Sequence, residues 1–345
     1  MKINAKEIIS KAIRSSLSFE DTELAFAAIM AGEFTEAQVA GLLVALSTRG
    51  ESIEEISGAA KAMRNACNKV NAPEKSIDIV GTGGDGKGTL NISTASALVV
   101  AGCGVTVAKH GNKNLSSLSG AADVLAQSGV NIRILPSQVE TSINTIGIGF
   151  MMAPIHHPAM KNVMPTRQAL GIRTIFNILG PLTNPAGVKF QLTGCYNKNL
   201  LIPMAETLKT LGTKKAWLVH GCDGTDEISI SGDTDVVELD NGSIREFKIH
   251  PNDVELKVRN LKEITGGSPE HNKNALLSLL DGVPSAYRDS VIFNSAAALV
   301  ISGRAKNLIE GVELAKQSID SGNAKLKHEA LVDFTNRDYN GSNNS

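Results

Sequence analysis

The chain predicts an α/β protein in which a small helical domain precedes a larger domain built on a central mixed sheet. Three observations carry this. The first seventy residues hold three helix starts in which an N-cap hydroxyl is answered three residues later by an acid or amide. From Ile77 onward, short β-rich runs alternate with helical stretches, the texture of a sheet flanked by helices. A glycine-dense loop follows the first of those runs directly, where such sheets gather their ligands.

The three helix starts are Ser18 with Asp21, Thr35 with Gln38 and Ser52 with Glu55. Leu24, Ala27, Ala28 and Met30 follow the first at helical spacing and Val39, Leu42, Leu43 and Leu46 the second, with Gly32 and Gly50 as C-terminal stops. Pro73 lies beyond a polar hinge at Asn68 to Asn71, so the expected domains are 1–72 and 73–340, with 341–345 a disordered tail. At 345 residues, two domains or one large α/β domain both suit the length. The strands read from the β-rich runs are Ile77 to Val80, Val105 to Val107, Asn131 to Leu135, Gly147 to Met151, Gln191 to Gly194 and Ala216 to His220. Polar alternation from Val236 to Lys262 reads as an antiparallel excursion; helices return at Asn272 to Leu280, Val291 to Ile301 and Asn307 to Ser321.

Residues 78–94 join a strand end, a glycine-rich loop and the hydroxyl-bearing start of an apolar helix. This is a phosphate cradle: without Cβ atoms in the way, backbone N–H groups converge on an anion, and Asn91, Ser93 and Thr94 lie at the helix start where donors are unpaired. Gly81, Gly83 and Gly86 match the dinucleotide pattern G-x-G-x-x-G, but the second strand, Gly104 to Ala108, ends at Lys109 instead of the acid that would hold a ribose hydroxyl. Gly81 to Lys87 also fits G-x-x-x-x-G-K, yet Gly88 stands where a magnesium-binding Ser or Thr belongs. Both nucleotide readings fail, and the cation at Lys109 suits a second phosphate.

Three further groups carry chemistry. Lys109 to Asp123 form a second polar loop, in which Ser116, Ser117 and Ser119 serve as helix caps or ligands. Asp226 and Glu227, after the strand ending at His220, are a solvated turn or a divalent-metal site; adjacent side chains diverge, so they suit two ions, or one held partly through water. His156 and His157 lack the spacing of a zinc site. Arg167 or Arg173 could clamp a carboxylate or pair with a structural acid.

Composition limits the partners. A net charge of −1 and 4% aromatic residues argue against nucleic acid and an anionic membrane surface. The amino terminus has no signal-peptide core, which predicts a cytoplasmic protein. Cys67, Cys103, Cys195 and Cys222 lie far apart in contexts that look like core or strand and are expected to be reduced, packed thiols.

Seven motifs stand in one order: Gly-Thr-Gly-Gly-Asp at 81–85, Asn-Ile-Ser-Thr at 91–94, Lys-His-Gly-Asn at 109–112, Ser-Gly at 119–120, Arg-Thr-Ile-Phe-Asn at 173–177, Gly-Pro-Leu-Thr-Asn-Pro at 180–185 and Asp-Glu at 226–227. In these the sequence closely resembles the anthranilate phosphoribosyltransferases of tryptophan biosynthesis, from the amino-terminal helices to about residue 335. The resemblance implies the nucleoside-phosphorylase-like phosphoribosyltransferase fold, a homodimer through the helical domain, and helices near 158–185 that return to that domain. It implies transfer of the phosphoribosyl group of 5-phosphoribosyl 1-pyrophosphate (PRPP) to anthranilate, with two Mg²⁺ ions per monomer. Carried over by position, Gly81, Gly84, Asp85, Thr89, Asn91, Ser93, Thr94, Lys109, His110, Gly111, Asn112, Lys113, Asn114, Leu115, Ser116, Ser117 and Ala121 would line the PRPP site. Gly81, Asn112, His157, Arg167 and Gly180 would face anthranilate, and Ser93, Asp226 and Glu227 would hold magnesium. Lys113 stands where the family usually has Arg, and Ala121 where Ser is frequent, which affects only side-chain contacts at those positions.

Breaking the bond from ribose C1 to pyrophosphate develops opposite charges on sugar and leaving group, so charge stabilisation is the main expected device. The anthranilate amine is neutral and nucleophilic at pH 7, and no residue is assigned as general acid or base. Two rivals share the fold: a nucleic-acid-binding relative, disfavoured by the balanced charge, and a nucleoside phosphorylase.

Overall fold

The structure, a computed structural model, describes residues 3–113 and 118–337. The chain opens with α1 (Ala5–Arg14), α2 (Phe19–Met30), α3 (Glu36–Arg49) and α4 (Ile53–Asn65). α1 is additional to the three starts read from the sequence; its signal is Asn4, whose side chain accepts from Lys6 N. Thr35 with Gln38 and Ser52 with Glu55 close full capping boxes, and Ser18 accepts from Asp21 N. In α3 the expected face, Val39, Leu42, Leu43 and Leu46, is buried. In α2 only half of it is: Ala28 and Met30 are buried as expected, but Leu24 and Ala27 are exposed, and Ala25, Phe26 and Ile29 face the core instead. α4 sets that rotation, because a Cβ on Gly58 would stand 2.5 Å from the Phe19 carbonyl, so the two backbones touch on that side.

The larger part of the chain adds seven strands: β1 (Ile77–Gly81), β2 (Val107–Gly111), β3 (Ile148–Met152), β4 (Phe190–Gly194), β5 (Lys215–Gly221), β6 (Thr234–Asp240) and β7 (Ser243–Ile249). They form one mixed sheet in the order β3-β2-β1-β4-β5-β6-β7, parallel through β5 and antiparallel thereafter. Between and after them lie α5 (Ile92–Gly102), α6 (Ala121–Gln127), α7 (Pro136–Ile146), α8 (Ala153–His156), α9 (Met164–Leu170), α10 (Phe176–Leu182), α11 (Leu201–Thr210), α12 (Pro269–Leu280), α13 (Ala286–Ile301), α14 (Leu308–Asp320) and α15 (Asn323–Thr335). One core packs α5 and α12 to α15 on one side of the sheet. A second joins α1 to α4, α10 and α11 to the opposite side of β5 and β6, so Ile175, Phe176, Leu179 and Leu182 share their core with Phe26 and Leu43.

Four expectations are corrected. Asn131 to Leu135 is not a strand: the Asn131 side chain accepts from Arg133 N in a tight turn, and Pro136 then opens α7. The second strand begins later and runs further than expected, to Gly111, because Gly104 (φ +84°) and Val105 complete the turn out of α5; Lys109 therefore sits inside β2 instead of ending it. The antiparallel excursion stops at Ile249 and continues as short 3₁₀ turns. Of the four free thiols only Cys195 is buried; Cys67 and Cys103 are half-buried and Cys222 is exposed, beyond the end of β5.

Candidate active site

Strand order places the site. β1 is followed by a crossover to β2 on one side, while β4 and β5 continue on the other, so the chain diverges at the carboxyl ends of β1 and β4. Open sheets of this kind receive ligands at that divergence. Both strands end in glycine there because Asp226 lies across them. A Cβ on Gly81 would come within 2.3 Å of Asp226 Oδ2, and one on Gly194 within 1.5 Å of the Asp226 carbonyl oxygen. Alanine at Gly194 would expel the Asp226 backbone, and alanine at Gly81 would displace its carboxylate.

The glycine loop leaves from Gly81. Gly83, Gly84, Gly86 and Gly88 all have φ between +62° and +74°, and at Gly83, Gly86 and Gly88 an added Cβ would meet nothing within 4 Å. The left-handed backbone requires glycine, and the space beside it is open. Two carboxylates occupy donors of this cradle: Gly83 N donates to Asp226 Oδ2 (2.6 Å) and Ser93 N to Glu227 Oε1 (3.2 Å). The loop is anchored at its far end by Leu90 N to the Ile264 carbonyl (2.9 Å) and by a bridge from Thr89 to Thr265. Asp85 Oδ1 accepts from Lys87 N (3.0 Å).

The acids crowd one another. Burial, then the charge of Asp85, raises Asp226 to about 7 against the pull of the Gly83 N–H. Glu227 is held well above the usual carboxylate range by burial and by Asp226, with Lys109 opposing. A donor set of hard oxygens whose charges are mutually unfavourable fits a divalent cation such as Mg²⁺. Among the described residues no three His, Cys, Asp or Glu side chains converge as a metal cluster, so further ligands would come from substrate or water.

The second polar loop leaves β2 after Gly111, and the strand's last residues line its base. Lys109 is buried, donates from Nζ to the Ile79 carbonyl (2.6 Å), and faces the charges of Asp78 and Glu227. His110 is buried against His157, ring centroids 5.1 Å apart, with its Nε2 unpartnered. Gly111 could not carry a Cβ, which would stand 2.7 Å from Phe150 and 3.3 Å from Ala121. Asn112 and Lys113 are exposed at the rim, with Asn112 Oδ1 accepting from Lys113 N (2.8 Å). Asn114, Leu115, Ser116 and Ser117 lie outside the described residues. Asn91 ties the two loops together: Nδ2 donates to the Ser119 carbonyl (3.1 Å), and Oδ1 accepts from Asn272 (2.8 Å). Thr94 turns inward and is buried.

A third wall comes from α9 and α10. Arg167 on α9 is half-buried, its guanidinium 5.5 Å from the Phe176 ring centroid, with no ion pair among the described residues; burial lowers its pKa. A Cβ on Gly180 would meet open space. The backbone of Gly180 acts on the His110 ring, and that of Thr183 on the His157 ring, to raise their pKa values. Burial is the first cause of the low pKa of both histidines, with His157 at about 4. Both imidazoles are neutral at pH 7.

Two residues that local patterns did not place complete the frame. Among the described residues Arg173 meets no acid; its Nη2 donates to the Gly84 carbonyl (2.5 Å), and its guanidinium lies 4.1 Å from the Tyr196 ring centroid. Tyr196 N donates in turn to Thr82 Oγ1 (3.0 Å). Asp78, a charge inside the apolar run Ile-Asp-Ile-Val, was the available signal for a buried polar site.

With this geometry in place, comparisons with known proteins give one family. Residues 73–325 match the a/b domain of a glycosyl transferase family, and residues 6–67 match its helical bundle domain. An anthranilate phosphoribosyltransferase of Bradyrhizobium diazoefficiens is 54% identical over 95% of this chain and 98% of its own length. The chain belongs to the anthranilate phosphoribosyltransferase family. Its fold agrees with that of the anthranilate phosphoribosyltransferase (TrpD) of Thermus thermophilus, with a TM-score of 0.91 and 42% identity over 96% of this chain and 99% of the other. The Saccharomyces cerevisiae enzyme, solved in complex with PRPP and Mg, superposes with a TM-score of 0.88 and 30% identity over 96% and 97%. Membership in this family carries the activity: a glycosyltransferase of tryptophan biosynthesis, moving a phosphoribosyl group to anthranilate. No helix among the described residues is long and apolar enough to cross a membrane.

Proposed function

We propose that the cleft at the ends of β1 and β4 transfers the phosphoribosyl group from PRPP to the anthranilate amine, with the glycine loop and the His110 loop holding PRPP and the α9–α10 wall holding anthranilate. The observation that carries this is the placement of two mutually repelling carboxylates, Asp226 and Glu227, on N–H groups of a phosphate cradle. Gly81, Gly84, Asp85, Thr89, Asn91, Ser93 and Thr94 with Lys109 to Ser117 and Ala121 form the PRPP side. Ser93, Asp226 and Glu227 would hold Mg²⁺, two ions per monomer. When bound, Mg²⁺ neutralises charge developing on the departing pyrophosphate.

The chain's own residues do the rest. The N–H groups of the glycine loop that no carboxylate occupies stabilise the leaving group with little reorganisation, since the left-handed backbone that carries them is already set. Lys109 balances Glu227 and Asp78 from within the sheet. Arg167 takes the anthranilate carboxylate, and Gly81, Asn112, His157 and Gly180 shape the space that brings the amine to C1. Turnover of anthranilate with PRPP that requires Mg²⁺ is the expected result; phosphate-dependent release of a nucleobase without turnover of anthranilate would replace this reading with that of a nucleoside phosphorylase. A cytoplasmic homodimer through the helical domain accompanies the proposal, supported by the exposed Ile13, Leu24 and Val44 on α1, α2 and α3. Sedimentation at monomer mass would remove it.

The neutral histidines give a pH dependence. His157 has a folded pKa of about 4 against 6.5 when free, so its contribution to stability is complete above pH 6.5 and is lost as pH falls toward 4. Between pH 7 and 5 the loss is about 2 kcal/mol. The melting temperature of wild type minus that of His157→Asn is therefore expected to fall across this range; a constant difference would show that His157 titrates normally.

A further inference from the structure

β1 and β2 are neighbours in the sheet, yet they are paired in register only at Ile77 and Val107, whereas β2–β3 and β1–β4 are paired over five residues each. Beyond that pair, side chains take the place of the ladder. Asp78 Oδ1 accepts from His110 N (3.1 Å), and Lys109 Nζ donates to the Ile79 carbonyl (2.6 Å). Asn184 enters from the loop after α10, donating from Nδ2 to both Asp78 Oδ2 (2.7 Å) and the Ala108 carbonyl (2.9 Å). Its Oδ1 accepts from Ala186 N (2.8 Å), which fixes the loop's own turn. Asp78, Lys109 and Asn184 are all at most 3% exposed.

Burying a carboxylate, an ammonium and an amide between two strands costs more than a continued ladder would, so stability alone does not account for them. Burial raises Asp78 to about 6 despite Lys109 and the bonds it accepts. The wedge spreads the strands where the glycine loop and the His110 loop depart. Through Asn184 it reaches the segment whose Gly180 and Thr183 backbones act electrostatically on the rings of His110 and His157.

We propose that Asp78 and Asn184 are positioning residues, which with Lys109 form a polar wedge that sets the gap between the two phosphate loops and registers the histidine-lined acceptor wall against them. The proposal rests on the assignment of that cleft to PRPP and anthranilate. Asn184 ties the acceptor segment to the wedge, touching β2 only through the Ala108 carbonyl; Asp78, bonded to the His110 backbone and to Asn184 together, sets both sides.

Steady-state kinetics of the full chain with PRPP, anthranilate and Mg²⁺ test this. Asn184→Ala leaves the Asp78 carboxylate in place, and is expected to raise KM for anthranilate about tenfold while PRPP stays within about twofold. Asp78→Asn turns an amide N–H toward a donor and is expected to lower kcat and raise both KM values. The double variant should then be no worse than Asp78→Asn alone, the non-additivity of residues acting as one unit. Should Asp78→Asn fail to fold, the KM split in Asn184→Ala decides the matter. Wild-type kcat and KM values in Asn184→Ala, with only the melting temperature lowered, would make the wedge merely structural and overturn the proposal. Failure of the wild-type chain to turn over anthranilate would instead overturn the substrate assignment, so the two failures are distinct.

Discussion

Asp226→Asn combined with Glu227→Gln is expected to lower turnover about a hundredfold or more without lowering the melting temperature. The charges are poised against stability: burial and Asp85 already push Asp226 up to about 7, and burial with Asp226 does the same to Glu227. Amides in their place remove that repulsion and keep an oxygen for the N–H groups of Gly83 and Ser93. What they lose is affinity for a hard divalent cation, and with it neutralisation of the leaving pyrophosphate, where one preorganised stabilising group is commonly worth two to three decades of rate. Thermal melts in chelator should give equal or higher values for the variant, and kinetics should show its apparent demand for Mg²⁺ rising. Near-normal turnover at limiting Mg²⁺ would move the metal away from these two acids.

Arg167→Ala is expected to raise KM for anthranilate about tenfold to a hundredfold and to leave that for PRPP nearly unchanged. The guanidinium is half-buried, its pKa lowered by burial, and it has no ion pair among the described residues, so it presents an unanswered positive charge on the acceptor wall. A charge-assisted pair to a carboxylate contributes about 1.5 to 3 kcal/mol, which sets that range. Aniline, lacking the carboxylate, separates binding from shape: the wild-type preference for anthranilate over aniline should largely vanish in the variant. Equal discrimination by both proteins would show that another group reads the carboxylate.

Much of this was legible from local sequence. The capping pairs at Thr35 and Ser52, the face of α3 and the glycine loop follow from short-range spacing, because caps, helical period and left-handed turns are set within a few residues. The same local rules misread half of the α2 face, where packing against Gly58 turned Leu24 and Ala27 outward, and Asn131 to Leu135, where an Asn turn and Pro136 outweighed a β-rich run.

The sequence by itself determined which chemistry is present: a cradle that needs glycine, two hydroxyl-bearing loops, an adjacent pair of acids, and motifs in the order of one enzyme family. Only the tertiary structure decided what those groups meet. Asp226 reaches Gly83 across 143 residues, Arg173 reaches Gly84 across 89, and Asn184 reaches Asp78 across 106. Lys109 reads from spacing as a phosphate ligand at a strand end and is found inside the sheet, between Ile79, Asp78 and Glu227. The reason is physical. Backbone conformation answers to neighbours a few bonds away, whereas the partner of a buried charge is set by strand order and by the low-dielectric core that forces every such group to find a counterpart.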